Sequence, residues 1–123
     1  MAGSAMVFTE TVHGSAKKIV AAWTSDDTTG AVSGTTTQVY DGEVLGLTTI
    51  PGAAGDAPDP NYDVAVNDAG GHDVLIGAGQ DRHTSNTEHV ARASLAAVAA
   101  SKLTIAVTGA GNANTGVVVL YVR

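Results

Sequence analysis

Apolar and polar side chains alternate with a period of two over most of this chain, the spacing of strands with one face buried. Residues 6–12 set Val7 and Thr9 opposite Phe8 and Glu10 and read as a first strand, ended by Gly14-Ser15. Residues 18–23 form a stronger one, with Ile19, Ala21 and Trp23 on one side and Lys18, Val20 and Ala22 on the other. Trp23 is the expected core anchor of that strand. The polar run Asp26-Asp27-Thr28-Thr29-Gly30 is a turn, after which β-branched residues over 35–40 predict a third strand. Asp41-Gly42 then carries a hairpin signal leading into a fourth strand over 43–50.

All three prolines, Pro51, Pro58 and Pro60, fall within 51–60, the longest patternless segment, of a kind that crosses between sheets or carries contacts. Tyr62, Val64 and Val66 alternate with Asp63, Ala65 and Asn67 in a fifth strand, which 68–71 turns into a sixth over 73–76. Residues 77–89 are polar. Over 87–100, Val90, Ser94, Leu95 and Val98 fall near one side of a helical period, but the apolar face is thin, so a connecting arm is preferred to a short helix. Leu103, Ile105 and Val107 alternate with Thr104, Ala106 and Thr108, and a Gly/Asn/Thr cluster over 109–116 separates them from 117–122, so the chain closes on a predicted β-hairpin. Residues 117–122 are apolar without alternating, and a strand of that kind has both sides covered. One side meets the core; the other calls for a sheet edge, a loop or another subunit. The expected fold is all-β, a two-sheet antiparallel β-sandwich or jelly roll of about eight strands, forming a single domain over 1–123 with a flexible N-terminal arm over 1–6.

Composition narrows the function classes. The 123 residues suit one core, and with no cysteine there is neither a disulfide framework nor a thiolate zinc site. Twelve acidic against six basic side chains give a net charge of −6, and the cations are scattered apart from Lys17-Lys18, so neither nucleic acid nor an anionic membrane is an expected partner. No window approaches a membrane span and the opening residues lack a basic, apolar leader, so a soluble chain made without a signal peptide is expected.

Candidate chemistry is weak. The glycines of 109–116 are wrongly spaced for a dinucleotide or Walker loop and precede a strand. The turn 67–73 gathers Asn67, Asp68, His72 and Asp73, oxygen-rich as calcium prefers, yet such residues also cap turns by bonding their own backbone. His13, His72, His83 and His89 show no metal-binding spacing, and paired acids such as Asp26-Asp27, or Asp56 with Asp59, sit in loops where solvation explains them. The aromatics Phe8, Trp23, Tyr40, Tyr62 and Tyr121 fall mostly on alternating strand positions, which favours core or interface over a sugar-stacking platform. No catalytic, cofactor-binding or metal-ligating residue is nominated, no cofactor is expected, and an enzyme is the least favoured class.

Taken together, the segments 17–26 (KKIVAAWTSD), 34–42 (GTTTQVYDG), 61–69 (NYDVAVNDA), 73–79 (DVLIGAG) and the closing 103–123 resemble small structural proteins of tailed-bacteriophage virions, in particular capsid decoration or cement proteins. The resemblance covers most of the chain and lies in texture and segment order. It implies a rigid β-sandwich on the outer capsid surface, made in the host cytoplasm, that binds the major capsid protein lattice as a homotrimer or homodimer and stabilises the shell, its weak contacts adding by avidity. The expected contact residues are Val7 at the end of the N-terminal segment Ala2 to Val7, Pro51, Pro58 and Pro60 in the stiffened loop, and Val118, Leu120 and Val122 in the closing strand. The alternative is a carbohydrate-binding β-sandwich with calcium at Asp68 and Asp73.

Overall fold

In the computed structural model, which describes residues 5–53, 55–91 and 95–123, the chain forms two antiparallel sheets that share one hydrophobic core. The described strands are β1 (Ala5–His13), β2 (Ala16–Thr24), β3 (Val32–Thr35), β4 (Tyr40–Pro51), β5 (Asp63–Asn67), β6 (Glu88–Val90), β7 (Ala97–Ser101), β8 (Thr104–Thr108) and β9 (Thr115–Val122). The large sheet runs β1-β2-β9-β4-β6, with β7 also paired to β4, and the small sheet runs β3-β8-β5. No helix occurs among the described residues, in keeping with an all-β sandwich.

The alternation read from the sequence becomes the core. Ile19, Ala21 and Trp23 of β2 and Val118, Leu120 and Val122 of β9 are buried with Val64 and Val66 of β5 and Ile105 and Val107 of β8. The Trp23 and Tyr62 rings lie 5.7 Å apart at 51°, a tilted aromatic contact. In β4 a bulge between Val44 and Gly46 resets the side-chain parity, so that Val44 and Leu47, three apart in sequence, are both fully buried.

Several expectations are corrected. The closing hairpin does not form: β8 lies between β3 and β5 in the small sheet, whereas β9 lies between β2 and β4 in the large one. The intervening loop crosses the sandwich and is tied to the turn after β2. Ala110 N–H donates to the Gly30 carbonyl (3.0 Å), Ser25 Oγ to the Gly111 carbonyl (2.7 Å), and Asn114 N–H to Ser25 Oγ (2.9 Å). The third strand sits earlier than 35–40, at β3, because 36–39 spans the sheets, with Thr36 N–H donating to the Leu103 carbonyl (2.9 Å).

Asp41-Gly42 is not a hairpin turn but lies inside β4, at an irregularity opposite β7 where Gly42 takes φ +123°. The sixth strand expected over 73–76 is a single bridge, Asn67 to Asp73, followed by turns. The Asp73 carboxylate accepts the N–H groups of Val66 (3.2 Å), Leu75 (3.0 Å) and Gly77 (3.0 Å), which curls the backbone away from a ladder. The expected arm over 87–100 contains β6 and much of β7, while 92–94 lie outside the described residues. Ala5 and Met6 pair with Thr24 and Trp23, so the flexible arm expected over 1–6 is strand at its last two positions, and 1–4 lie outside the described residues.

Gly116 locks the large sheet. It pairs with both Trp23 and Pro51, and a Cβ at that position would stand 2.7 Å from Trp23 Cε2 and 3.0 Å from Nε1. Gly116→Ala should therefore cost about 1–3 kcal/mol through overpacking. A lowered Tm with a shifted emission maximum of Trp23, the lone tryptophan, checks it; unchanged Tm and emission contradict the packing described.

Candidate interaction surface

The registers of the large sheet place side chains in rows across its outer face. One row is Val7, Ala22, Val117 and Ile50 on β1, β2, β9 and β4, apolar at every position. The next is Thr9, Val20, Val119, Thr48 and His89, and a third is Thr11, Lys18, Tyr121 and Gly46. Val7 is 66% exposed, Tyr121 37% and Ile50 36%. The apolar row floors a shallow trough of about 360 Å³, rimmed by Thr24, Pro51 and Thr115. Ionic groups stay at its margin: Lys18 lies two rows away, and His89 at the β6 edge holds Thr48 Oγ1 through Nδ1 at 2.8 Å.

The outer face of the small sheet has the opposite character. Its rows are Ser33, Ala106 and Ala65, then Thr35, Thr104 and Asn67, with Thr35 Oγ1 and Thr104 Oγ1 hydrogen-bonded at 2.9 Å. Small and polar, it is the usual solvated face of an antiparallel sheet. An apolar outer face on the larger sheet is the exception, and such faces mark interaction sites.

The expected contact residues divide on this geometry. Val7 lies in the apolar row and Pro51 is half-buried at the trough's rim. Pro60 is exposed in the loop, whereas Pro58 is buried and its carbonyl accepts from Thr84 Oγ1. Val118, Leu120 and Val122 are corrected: all three are fully buried on the inner side of β9, packed against the protein's own small sheet. Their outward counterparts are Val117, Val119 and Tyr121, joined by Ala22 and Ile50 from neighbouring strands. The signal for these was the unbroken apolar run of 117–122 together with Val20 and Ala22 on the second side of the second strand.

The polar clusters are occupied structurally. Asp68 Oδ1 accepts the N–H groups of Gly70 (2.9 Å) and His72 (3.0 Å), and Asp73 is engaged as described above. Among the described residues no group of three or more His, Asp or Glu side chains is placed to hold a metal ion. All four histidines are exposed, and His83 Nδ1 accepts the N–H groups of Ser85 (3.0 Å) and Asn86 (2.9 Å).

The strongest polar contact is internal. Glu10, on the inner side of β1, accepts from Tyr40 OH (2.6 Å), Thr37 Oγ1 (2.8 Å), Thr37 N–H (3.1 Å) and Gln38 N–H (3.2 Å), clasping β1 to the crossover between β3 and β4. Burial pushes this carboxyl up, but the four donors outweigh it and hold the pKa below the usual glutamate value. Burial, then the neighbouring carboxylate, raises the Tyr40 hydroxyl well above its usual value.

Comparison with protein-family models, curated proteins and solved structures finds no match to the chain.

A carboxyl whose folded pKa is depressed adds stability above its unfolded pKa and loses it as pH falls through the folded value. Stability should therefore decline as pH drops below 4.5, the unfolded glutamate value. Glu10→Gln should be less stable at pH 7 by about 1–3 kcal/mol, the scale of a hydrogen-bonded charge lost, and should fall less steeply below pH 4.5. Urea melts of both proteins at pH 7 and pH 3 check this; parallel acid profiles would remove Glu10 as the cause.

Proposed function

We propose that this protein is a structural subunit of a tailed-phage virion, a decoration or cement protein that binds the outer surface of the major capsid protein lattice as a homo-oligomer and stabilises the shell. The observation that carries this reading is the apolar row Val7, Ala22, Val117 and Ile50 on the outer face of the large sheet. A stiff two-sheet body that leaves an apolar row uncovered is suited to docking on another protein, since covering that row removes apolar surface from water without displacing ionic groups. The opposite, polar face would remain toward solvent. Many copies on a lattice convert modest single contacts into firm attachment.

Purified protein mixed with expanded shells of the corresponding major capsid protein should co-sediment in fixed stoichiometry and raise the temperature of shell disruption. Ile50→Lys and Val117→Lys should weaken binding at least tenfold each, roughly the effect of burying a charge opposite an apolar partner, while each variant keeps a folded far-UV spectrum. Shells left bare by the unsubstituted protein would overturn the reading. Binding to a glycan array that depends on calcium would put the carbohydrate-binding alternative in its place. Because Asp68 and Asp73 spend their carboxylates on backbone N–H groups, chelation with EDTA should leave the Tm unchanged; a fall on chelation would point to a metal at that turn.

A further inference from the structure

Each sheet of the sandwich has edges, and the chain treats them differently. The outer edge of β5 is covered by the segment that follows it: Val64 N–H donates to the Gly79 carbonyl (2.8 Å), Val74 N–H to the Val66 carbonyl (2.7 Å) and Arg82 N–H to the Tyr62 carbonyl (2.7 Å). The strands β3 and β6, at the other ends of the two sheets, are only four and three residues long. Short or covered edges are how soluble β proteins avoid pairing with other chains.

β1 has none of these protections. It is nine residues long, its register with β2 runs without a bulge from Ala5 opposite Thr24 to His13 opposite Ala16, and it contains neither proline nor lysine. Among the described residues no strand pairs with its outer edge. The inward charge that could blunt it, Glu10, is spent inside its own fold on Tyr40, Thr37 and Gln38.

The polarity of the open edge follows from the turn. Gly14-Ser15 is a two-residue connection with Gly14 at φ +63°, so His13 and Ala16 flank it as a hydrogen-bonded pair. Hydrogen-bonded pairs alternate along an antiparallel ladder. Counting back, the odd residues of β1 bond to β2, and the N–H and C=O groups of Met6, Phe8, Glu10 and Val12 point to the open edge.

We infer that β1 is a self-pairing edge, joining the same strand of a second copy antiparallel about a two-fold axis perpendicular to the sheet. This goes beyond the capsid-binding reading and does not depend on it. The second copy is favoured over another extended segment because the edge is complementary to itself. Full overlap puts Thr9 on the axis, and residues of equal parity then oppose one another, so outer faces continue into outer faces and inner into inner. Met6 faces the partner copy's Val12, and Phe8 faces the partner copy's Glu10, each pair exchanging backbone bonds in both directions. No like charges are opposed, which matters for a chain of net charge −6. The exposed valines of the strand, Val7 at 66% and Val12 at 69%, gain partners in Thr11 and Met6 of the second copy.

The size of the contact suits a modest dimer. Nine residues of strand are about 30 Å long, and two layers about 10 Å apart with their side chains bury roughly 1,000 Å² in total, the lower bound for a specific interface. In this register the row of Ile50, Val117, Ala22 and Val7 of one copy runs into the Thr11, Lys18, Tyr121 and Gly46 row of the second copy, so the two apolar rows share one continuous outer face on opposite sides of the axis.

Sedimentation equilibrium on the full chain should show a concentration-dependent mass approaching twice 12.2 kDa, with a Kd in the micromolar range, on the order of 1–100 µM. Hydrogen exchange should slow at the amides of Met6, Phe8, Glu10 and Val12 as concentration rises, whereas the odd amides of β1 should be protected at every concentration. Val12→Pro removes one outward N–H from an exposed position without breaking a bond to β2, and symmetry makes it act twice, so the dimer should weaken at least about tenfold. A monomer at millimolar concentration, a trimer, or a dimer whose β1 amides exchange freely would overturn the inference. So would a dimer untouched by Val12→Pro. These outcomes are read in the absence of shells, so a monomer that still coats shells would sink edge pairing and the homo-oligomer but leave shell binding standing, and a β1 dimer that ignores shells would sink the capsid reading alone.

Discussion

The structure depends on β9 being held on both edges at once. Its backbone pairs with β2 on one side and β4 on the other, and its inner side chains Val118, Leu120 and Val122 are buried against the small sheet. A strand in this position ordinarily finds its register from polarity, because a slip of one residue would turn a polar set into the core. Here that safeguard is weak, since the alternative set Val117, Val119 and Tyr121 is also apolar. What fixes the register is steric. Gly116 is the position over which the Trp23 ring fits, and the bulge in β4 at Val44–Gly46 matches a single alignment of the strand beside it.

The same doubly apolar strand creates the outer face. Because β9 spends one apolar side on the core and has another left over, the large sheet carries a hydrophobic row where the small sheet carries serine, threonine and asparagine. The residues beside β9 reinforce the difference: Ala22 and Ile50 flank Val117, and Val20 and Thr48 flank Val119. Charge has been kept out of this region, with Glu10 turned inward into its four hydrogen bonds and Lys18 at the periphery. A protein whose whole net charge is negative thus presents one face on which charge is nearly absent, and the proposed role in assembly is argued from that face.

Face and edge belong to one sheet and have one geometry. β1 lies at the rim of the apolar row, contributes Val7 to it, and bears the only long bare edge among the described strands. Extending the sheet through β1 would place two such rows on one continuous outer face, one on each side of the axis, while the edges β3, β5 and β6 are short or covered. The internal clasp of Glu10 to Tyr40 and the 36–39 crossover serves both ends: it anchors β1 to the body and takes the strand's one carboxylate away from the edge.

Period-two alternation was enough to place β1, β2, β5 and β8, and to say that Ile19, Ala21, Trp23, Val64 and Val66 line a core, because burial on one side of a strand leaves a mark at every second residue. The doubly apolar character of 117–122 was equally plain. Which strand lies beside which was not legible, since ladder hydrogen bonds are made by backbone groups common to all residues. Hence β8 and β9, adjacent in sequence, part company into different sheets. Local turn chemistry misled at Asp41-Gly42, where glycine serves an irregularity inside β4 instead of a hairpin, and at Asp73, whose carboxylate curls the backbone a strand would have used. The outward row of Val7, Ala22, Val117 and Ile50 likewise draws on strands far apart in the chain. Side-chain pattern alone determined that this polypeptide would be layered β-sheet with an apolar surplus; long-range pairing decided where that surplus faces, because only register brings four separate strands into one row.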